Sequence, residues 1–126
     1  MQNIQTQEEF RDIPGYENYY QVSNLGNVKS LTRRVPNSHS GFMTIQERLL
    51  TLRFRKRDGY VTAKLCKDQQ QKACSVHRLV ALAFLEKPVG KNYVNHKNSM
   101  RNDNRVENLE WVTKPEDYKH AFNKGR

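Results

Sequence analysis

The last third of the chain dictates its own topology. Tyr93 to His96 reads as a short strand, Lys97 to Arg105 as an Asn-rich loop, Leu109 to Val112 as a second strand, and Thr113 opens a helix. Thr113 with Glu116 three positions on makes a capping box. Pro115 is tolerated in that first turn because its missing N–H would be unpaired there. Within this strand, loop, strand and helix, Asn108 lies twelve positions after His96 and Asp117 nine after Asn108. A histidine, an amide and a carboxylate therefore recur at intervals that suit a one-metal phosphodiesterase site.

Upstream, short strands alternate with turns. Tyr19-Tyr20-Gln21-Val22-Ser23 and Val28-Lys29-Ser30-Leu31 flank Asn24-Leu25-Gly26-Asn27, which predicts two strands joined by an Asn/Gly turn. So small a unit hardly holds a core alone, and Tyr16, Tyr20, Val22 and Val28 are expected to pack on the rest of the chain. Pro36 to Gly41 has the composition of a loop, so residues 36–46 are expected to link an N-terminal module, 1–35, to a second domain, 47–126. There Leu50, Leu52 and Phe54 alternate with Arg53, Arg55 and Arg57, Asp58-Gly59 supplies a turn, and Val61, Ala63 and Leu65 form the returning apolar face. After the polar run 67–72, Ala73 to Val76 adds a third strand. Leu79, Val80, Leu82, Ala83 and Phe84 then show helical spacing that Pro88 and Gly90 end. The fold class is α+β.

A chain of 126 residues holds one compact domain, or one small domain with an appendage. Its 22 Lys and Arg exceed 13 Asp and Glu, and the formal charge of +9 makes nucleic acid the expected partner. Residues 29–57 hold eight basic residues and one acidic, Glu47, whereas the first 28 hold four acids and one base. Arg53, Arg55, Lys56 and Arg57, with Arg33 and Arg34 upstream, are the candidate DNA contacts. The spacing of Cys66 and Cys74 fits neither a zinc knuckle nor a disulfide framework, which predicts reduced thiols and no structural zinc. No apolar run approaches the ~20 residues that span a bilayer, and the N-terminus lacks a signal-peptide core. A soluble, cytoplasmic protein with no membrane partner is expected.

Hydrolysing a phosphodiester needs a water made nucleophilic, a cation to offset charge on the phosphoryl and leaving oxygens, and a hold on the backbone. His96 can be the base, since an unperturbed imidazole is mostly neutral near pH 7. Asn108 can orient its ring through the amide or through its backbone at the loop's end. Asp117 can bind a hard cation, and Asn95 can offer a neutral oxygen beside it.

Val76-His77-Arg78-Leu79-Val80-Ala81, Val94-Asn95-His96 and Asn108-Leu109-Glu110-Trp111-Val112-Thr113 together resemble the HNH homing endonucleases of phages and introns. The N-terminal Ile-Pro-Gly-Tyr-Glu and Tyr-Tyr-Gln-Val-Ser-Asn-Leu-Gly-Asn-Val-Lys-Ser is similar to a modular DNA-binding motif that often precedes that nuclease. The resemblance implies a small N-terminal β-hairpin module followed by a ββα-metal nuclease domain. It also implies His96 as general base, and Asn95 with Asp117 binding one divalent cation, Mg²⁺ or Mn²⁺. Duplex DNA would be nicked or cut by a monomer or homodimer in a bacterial or phage-infected cell. Relatives often carry Asp before the histidine and Asn in the helix, so Asn95 and Asp117 exchange those roles. Asn98-Ser99 replaces a frequent Asp-Gly, and the helix-turn-helix of longer members is not expected within these 126 residues.

The competing class is a DNA-binding protein of the same ancestry with a decayed site, against which the complete set of Asn95, His96, Asn108 and Asp117 speaks. An RNA-binding protein finds no specific support. Elsewhere the bland reading leads: His77 opens an apolar helix and reads as packing or a phosphate contact, and His120 as an exposed helical histidine. Trp111 alternates with Leu109 as core, Glu110 faces away without a catalytic role, and Tyr16, Tyr19 and Tyr20 are core and turn residues.

Overall fold

The computed structural model describes residues 7–39 and 41–114, which form eleven strands, one α-helix and one 3-10 turn. β1 (Phe10–Asp12), β2 (Tyr20–Ser23) and β3 (Val28–Ser30) build an antiparallel sheet in that order. The expected β2–β3 hairpin is present. Its turn is held by the Ser23 hydroxyl, which accepts the N–H groups of Leu25 and Asn27, both at 3.1 Å. Gly26 adopts φ +94° there, a conformation that costs a residue without Cβ little.

Residues 36–46, expected as a linker, carry strand. β4 (Arg33–Asn37) and β5 (Gly41–Ile45) pair in register from Arg33 opposite Ile45 to Asn37 opposite Gly41. The composition concealed this because a two-stranded ribbon has only edge positions, where Pro36 is tolerated, and neither face packs on a core that would impose alternation. β6 (Arg48–Leu49) then returns to β3 and completes the first sheet, so residues from beyond the expected boundary belong to it.

The next sheet has the order β7 (Arg53–Phe54), β8 (Val61–Lys67), β9 (Gln70–Ser75). The hairpin around Asp58-Gly59 is as expected, but β7 pairs over two residues only, so the alternation stops early: Phe54 is 55 % exposed while Arg55 is half-buried. The polar run 67–72 joins a strand, because a tight turn places Asp68 and Gln69 both at positive φ. Cys66 and Cys74 are free thiols, and Cys74 lies opposite Ala63 on the ladder.

β9 runs directly into α1 (Val76–Phe84), which buries Val76, Leu79, Val80 and Ala81. Ile13, Tyr20, Val22 and Val28 of the first third meet Ala63, Leu65, Val76, Leu79, Val80 and Leu109 in one hydrophobic cluster. The two expected units thus share a core. No helix among the described residues is long and apolar enough to cross a membrane.

Candidate active site

β10 (Tyr93–His96) and β11 (Leu109–Val112) pair antiparallel on the predicted bounds, with Asn95 opposite Glu110 and His96 opposite Leu109. The pleat sends His96 to the face of buried Leu109 and Asn95 to the other. The Lys97 N–H donates to the Asn108 carbonyl at 2.8 Å, closing the neck of the loop between the strands.

Asn108 sits in the 3-10 turn Val106–Asn108 and is buried, but its side chain braces the loop and not the histidine. Its Oδ1 accepts the Asn98 N–H at 3.0 Å, and its Nδ2 donates to Asn98 Oδ1 at 3.0 Å and to the Asp103 carbonyl at 2.9 Å. Asn98 also donates to Asp103 Oδ2 at 2.8 Å. The Arg105 guanidinium grips both oxygens of Asp103 at 2.8 Å; against the cost of burial, it and Asn98 hold that carboxyl well below the usual carboxylate range. Ser99 takes φ +67° in this loop.

Asn104 holds His96. Its Oδ1 lies 2.8 Å from His96 Nε2, and the two residues are 6 % and 5 % exposed. An amide oxygen only accepts, so in this contact Nε2 is the proton donor. His77 lies against the same ring, with centroids 4.8 Å apart, and stacks on Tyr60 at 5.0 Å. Burial first, then the neighbouring His96, Arg78, Arg101 and Arg55, pushes the His77 pKa down to about 3, so this ring is neutral near pH 7. Packing is its observed role.

Asn95 Nδ2 donates to Glu110 Oε2 at 2.8 Å across the strand pair. The contact commits the amide nitrogen and leaves the amide oxygen as the atom able to meet a cation, beside the Glu110 carboxylate. Oxygen donors of this kind suit a hard divalent ion. Among the described residues there is no cluster of three His, Cys, Asp or Glu that could hold a metal ion. Asp117, with Glu116 and His120, lies outside the described residues. Trp111 is buried as expected, and the Arg78 guanidinium lies 5.4 Å from its ring centre.

The basic residues divide into staples and open side chains. Arg33 donates to the carbonyls of Tyr19 and Leu31, to Ser30 Oγ and to the Tyr20 hydroxyl. Arg55 pairs with Asp58 at 2.8 Å, so it locks the hairpin turn. Both guanidinium groups are thus engaged within the fold. Arg53, Lys56 and Arg57 are exposed, Arg57 with its Nε 4.0 Å from Asp58 Oδ2, as is Arg34, whose guanidinium lies 4.8 Å from the Phe42 ring centre. Sequence reasoning missed Asn104 because nothing in an Asn-rich loop marks which amide turns inward. It missed the Glu110 contact because the strand register was needed to pair it with Asn95.

Residues 8–66 match the NUMOD4 motif, and residues 74–118 match the HNH endonuclease family. An uncharacterized HNH endonuclease of Acanthamoeba polyphaga mimivirus is 40% identical over 121 residues, 90% of this chain and 26% of that protein. The DNA endonuclease I-HmuI of Bacillus phage SP01 is 35% identical over 117 residues, 93% of this chain and 59% of that protein. The solved structure describing DNA binding and cleavage by the HNH homing endonuclease I-HmuI is similar with a TM-score of 0.71 and 36% identity. It too covers 93% of this chain and 59% of the other. The chain thus spans 59% or less of the length of these relatives.

Proposed function

This chain is a homologue of the HNH homing endonucleases, with a NUMOD4 motif ahead of an HNH domain, and from that premise we propose that it is a metal-dependent endonuclease of duplex DNA. The observation that carries the reading is the buried Asn104–His96 contact, which supports a fixed tautomer with the Nδ1 lone pair as proton acceptor. His96 takes a proton from water as the water oxygen attacks phosphorus. The bond from phosphorus to the 3′ oxygen breaks, solvent protonates that oxygen, and 5′-phosphate and 3′-hydroxyl ends result. Asn95 and Asp117 would hold one Mg²⁺ or Mn²⁺, which supplies positive charge at the phosphoryl and leaving oxygens. Glu110 keeps the Asn95 amide turned for that purpose. The exposed Arg34, Arg53, Lys56 and Arg57 carry the phosphate contacts.

Supercoiled plasmid incubated with the protein and Mg²⁺, with and without chelator, tests the reading. Relaxed or linear product that chelator suppresses is expected. Bound but intact plasmid at every Mg²⁺ and Mn²⁺ concentration would instead identify a DNA-binding protein with a silent site.

A further inference from the structure

The N-terminal sheet reaches the histidine's support. The β2–β3 turn packs on the loop between β10 and β11 so closely that a Cβ placed on Gly26 would lie 3.1 Å from Asn104 Cβ and 3.4 Å from the Asn104 carbonyl oxygen. The carbonyl of Asn24, on the same turn, accepts the N–H of Val106 at 2.8 Å. Asn24 is itself buried and tied to the chain's start, where its Oδ1 accepts the Glu9 N–H at 2.7 Å and its Nδ2 donates to the Gln7 carbonyl at 3.1 Å. The turn therefore holds the loop just beyond Asn104 and presses on Asn104 itself.

From this geometry we infer that the β2–β3 turn is a working wall of the active site, with Gly26 the positioning residue that sets Asn104 and, through it, the ring of His96. The inference rests on the reading of His96 as the base. Its physical basis is tolerance. The atoms crowding Gly26 are a backbone carbonyl and a Cβ, neither of them the end of a flexible side chain. With Val106 tethered to Asn24, an added methyl group is relieved by moving Asn104 a few tenths of an ångström. A catalytic constellation is held to within ~0.5 Å, so a shift of a few tenths takes up most of that margin at Asn104 Oδ1, which stands 2.8 Å from His96 Nε2. The module would then contribute to catalysis as well as to binding, which makes it more than a recognition device.

An internal control exists. Gly15 lies in the same part of the chain with φ +88°, close to the +94° of Gly26, yet a Cβ there meets nothing within 4 Å. Gly15→Ala carries the cost of positive φ alone, and Gly26→Ala adds the clash with Asn104. The full chain of each variant is examined in two ways: by nitrogen-15 spectra of the His96 imidazole without metal, and by plasmid cleavage with Mg²⁺ beside DNA affinity. Gly15→Ala should keep the wild-type spectrum, with the proton on Nε2, and the wild-type rate. Gly26→Ala should mix the two tautomers and lower kcat ~10-fold or more, with DNA affinity within about twofold. If Gly26→Ala matches Gly15→Ala in both spectrum and rate, the inference is wrong. A changed spectrum with an unchanged rate would uphold the positioning and overturn the role of His96 as base. If Gly26→Ala fails to fold, Gly26→Asn takes its place, since asparagine accepts positive φ while carrying the same Cβ.

Discussion

The Tyr20 hydroxyl in β2 accepts a hydrogen bond from the backbone N–H of Cys66 in β8 at 2.9 Å, joining residues 46 positions apart. β7 pairs with β8 only at Val61 and Thr62, so among the described residues the far end of that strand edge has no neighbouring strand and the phenol takes its place. The same hydroxyl accepts from Arg33 Nη2 at 3.1 Å. Tyr20→Phe leaves both donors without this acceptor and should cost ~1–3 kcal/mol. An unchanged urea midpoint would show that water serves equally well.

The same relationship governs truncation. A chain beginning at Thr44 lacks Ile13, Tyr20, Val22 and Val28 of the core cluster. At ~1.5–3 kcal/mol per buried side chain, the lost burial is comparable to the whole stability of a small domain. Such a chain should show no cooperative thermal transition. A sharp transition would mean that residues 47–126 form an independent domain after all.

Two asparagines should separate kinetically. Asn104→Ala removes one hydrogen bond from His96, worth ~1–1.5 kcal/mol, and should slow cleavage roughly tenfold with unchanged DNA affinity. His96→Ala should cost ~10²–10⁴-fold. Asn108→Ala removes the brace of the loop and should lower the melting temperature more than Asn104→Ala does. Equal kinetic and thermal effects from the two asparagines would contradict their different contacts.

His77 gives the fold an acid limit. Its folded pKa of about 3 lies below the ~6.5 of an unfolded chain, so between these values the unfolded state binds a proton that the folded state refuses. Stability from this group is complete above pH ~6.5 and is lost as pH falls toward 3, at no more than ~1.4 kcal/mol per pH unit. His77→Phe keeps a ring to stack on Tyr60 and has no proton to bind. The drop in urea midpoint from pH 7 to pH 5 should be smaller in this variant than in the wild type; an identical drop would assign the acid sensitivity elsewhere.

The open and stapled cations should respond differently to salt. Replacing Arg53, Lys56 and Arg57 with Gln should reduce the logarithmic salt slope of DNA binding by roughly two to three units, at ~0.9 per phosphate contact. Arg55→Gln should leave the slope alone and weaken the hairpin, because that guanidinium is committed to Asp58. A slope reduced by Arg55→Gln alone would show that the pair opens on DNA.

What could be read from the sequence is what period and turn chemistry encode. The strand bounds of β10 and β11 and the hairpin at Asp58-Gly59 follow from alternation and glycine, and α1 from the 3–4 spacing of Leu79, Val80 and Ala83. The ribbon of β4 and β5 and the polar start of β9 were hidden because exposed strands have no buried face to enforce alternation. The Asp68-Gln69 turn was hidden because two side-chain-bearing residues occupy positions usually given to Asn and Gly. At the site, spacing singled out His96, Asn108 and Asp117, with Asn95 beside the histidine, but the partners of His96, Asn95 and Asn108 depend on which way a loop folds over, which no local pattern states. The Asn98-Ser99 segment keeps its tight turn with serine at positive φ and the Asn98 side chain accepting from Met100.

The shared core sets an order on the chain's own synthesis. Leu109 packs with Tyr20, Val22 and Val28, which are made some eighty residues earlier, so those side chains keep part of their contact with water until β11 has left the ribosome. A product of early termination before Leu109 lacks β11, and with it the partner strand of His96. Folding of the histidine site therefore waits until β11 has emerged.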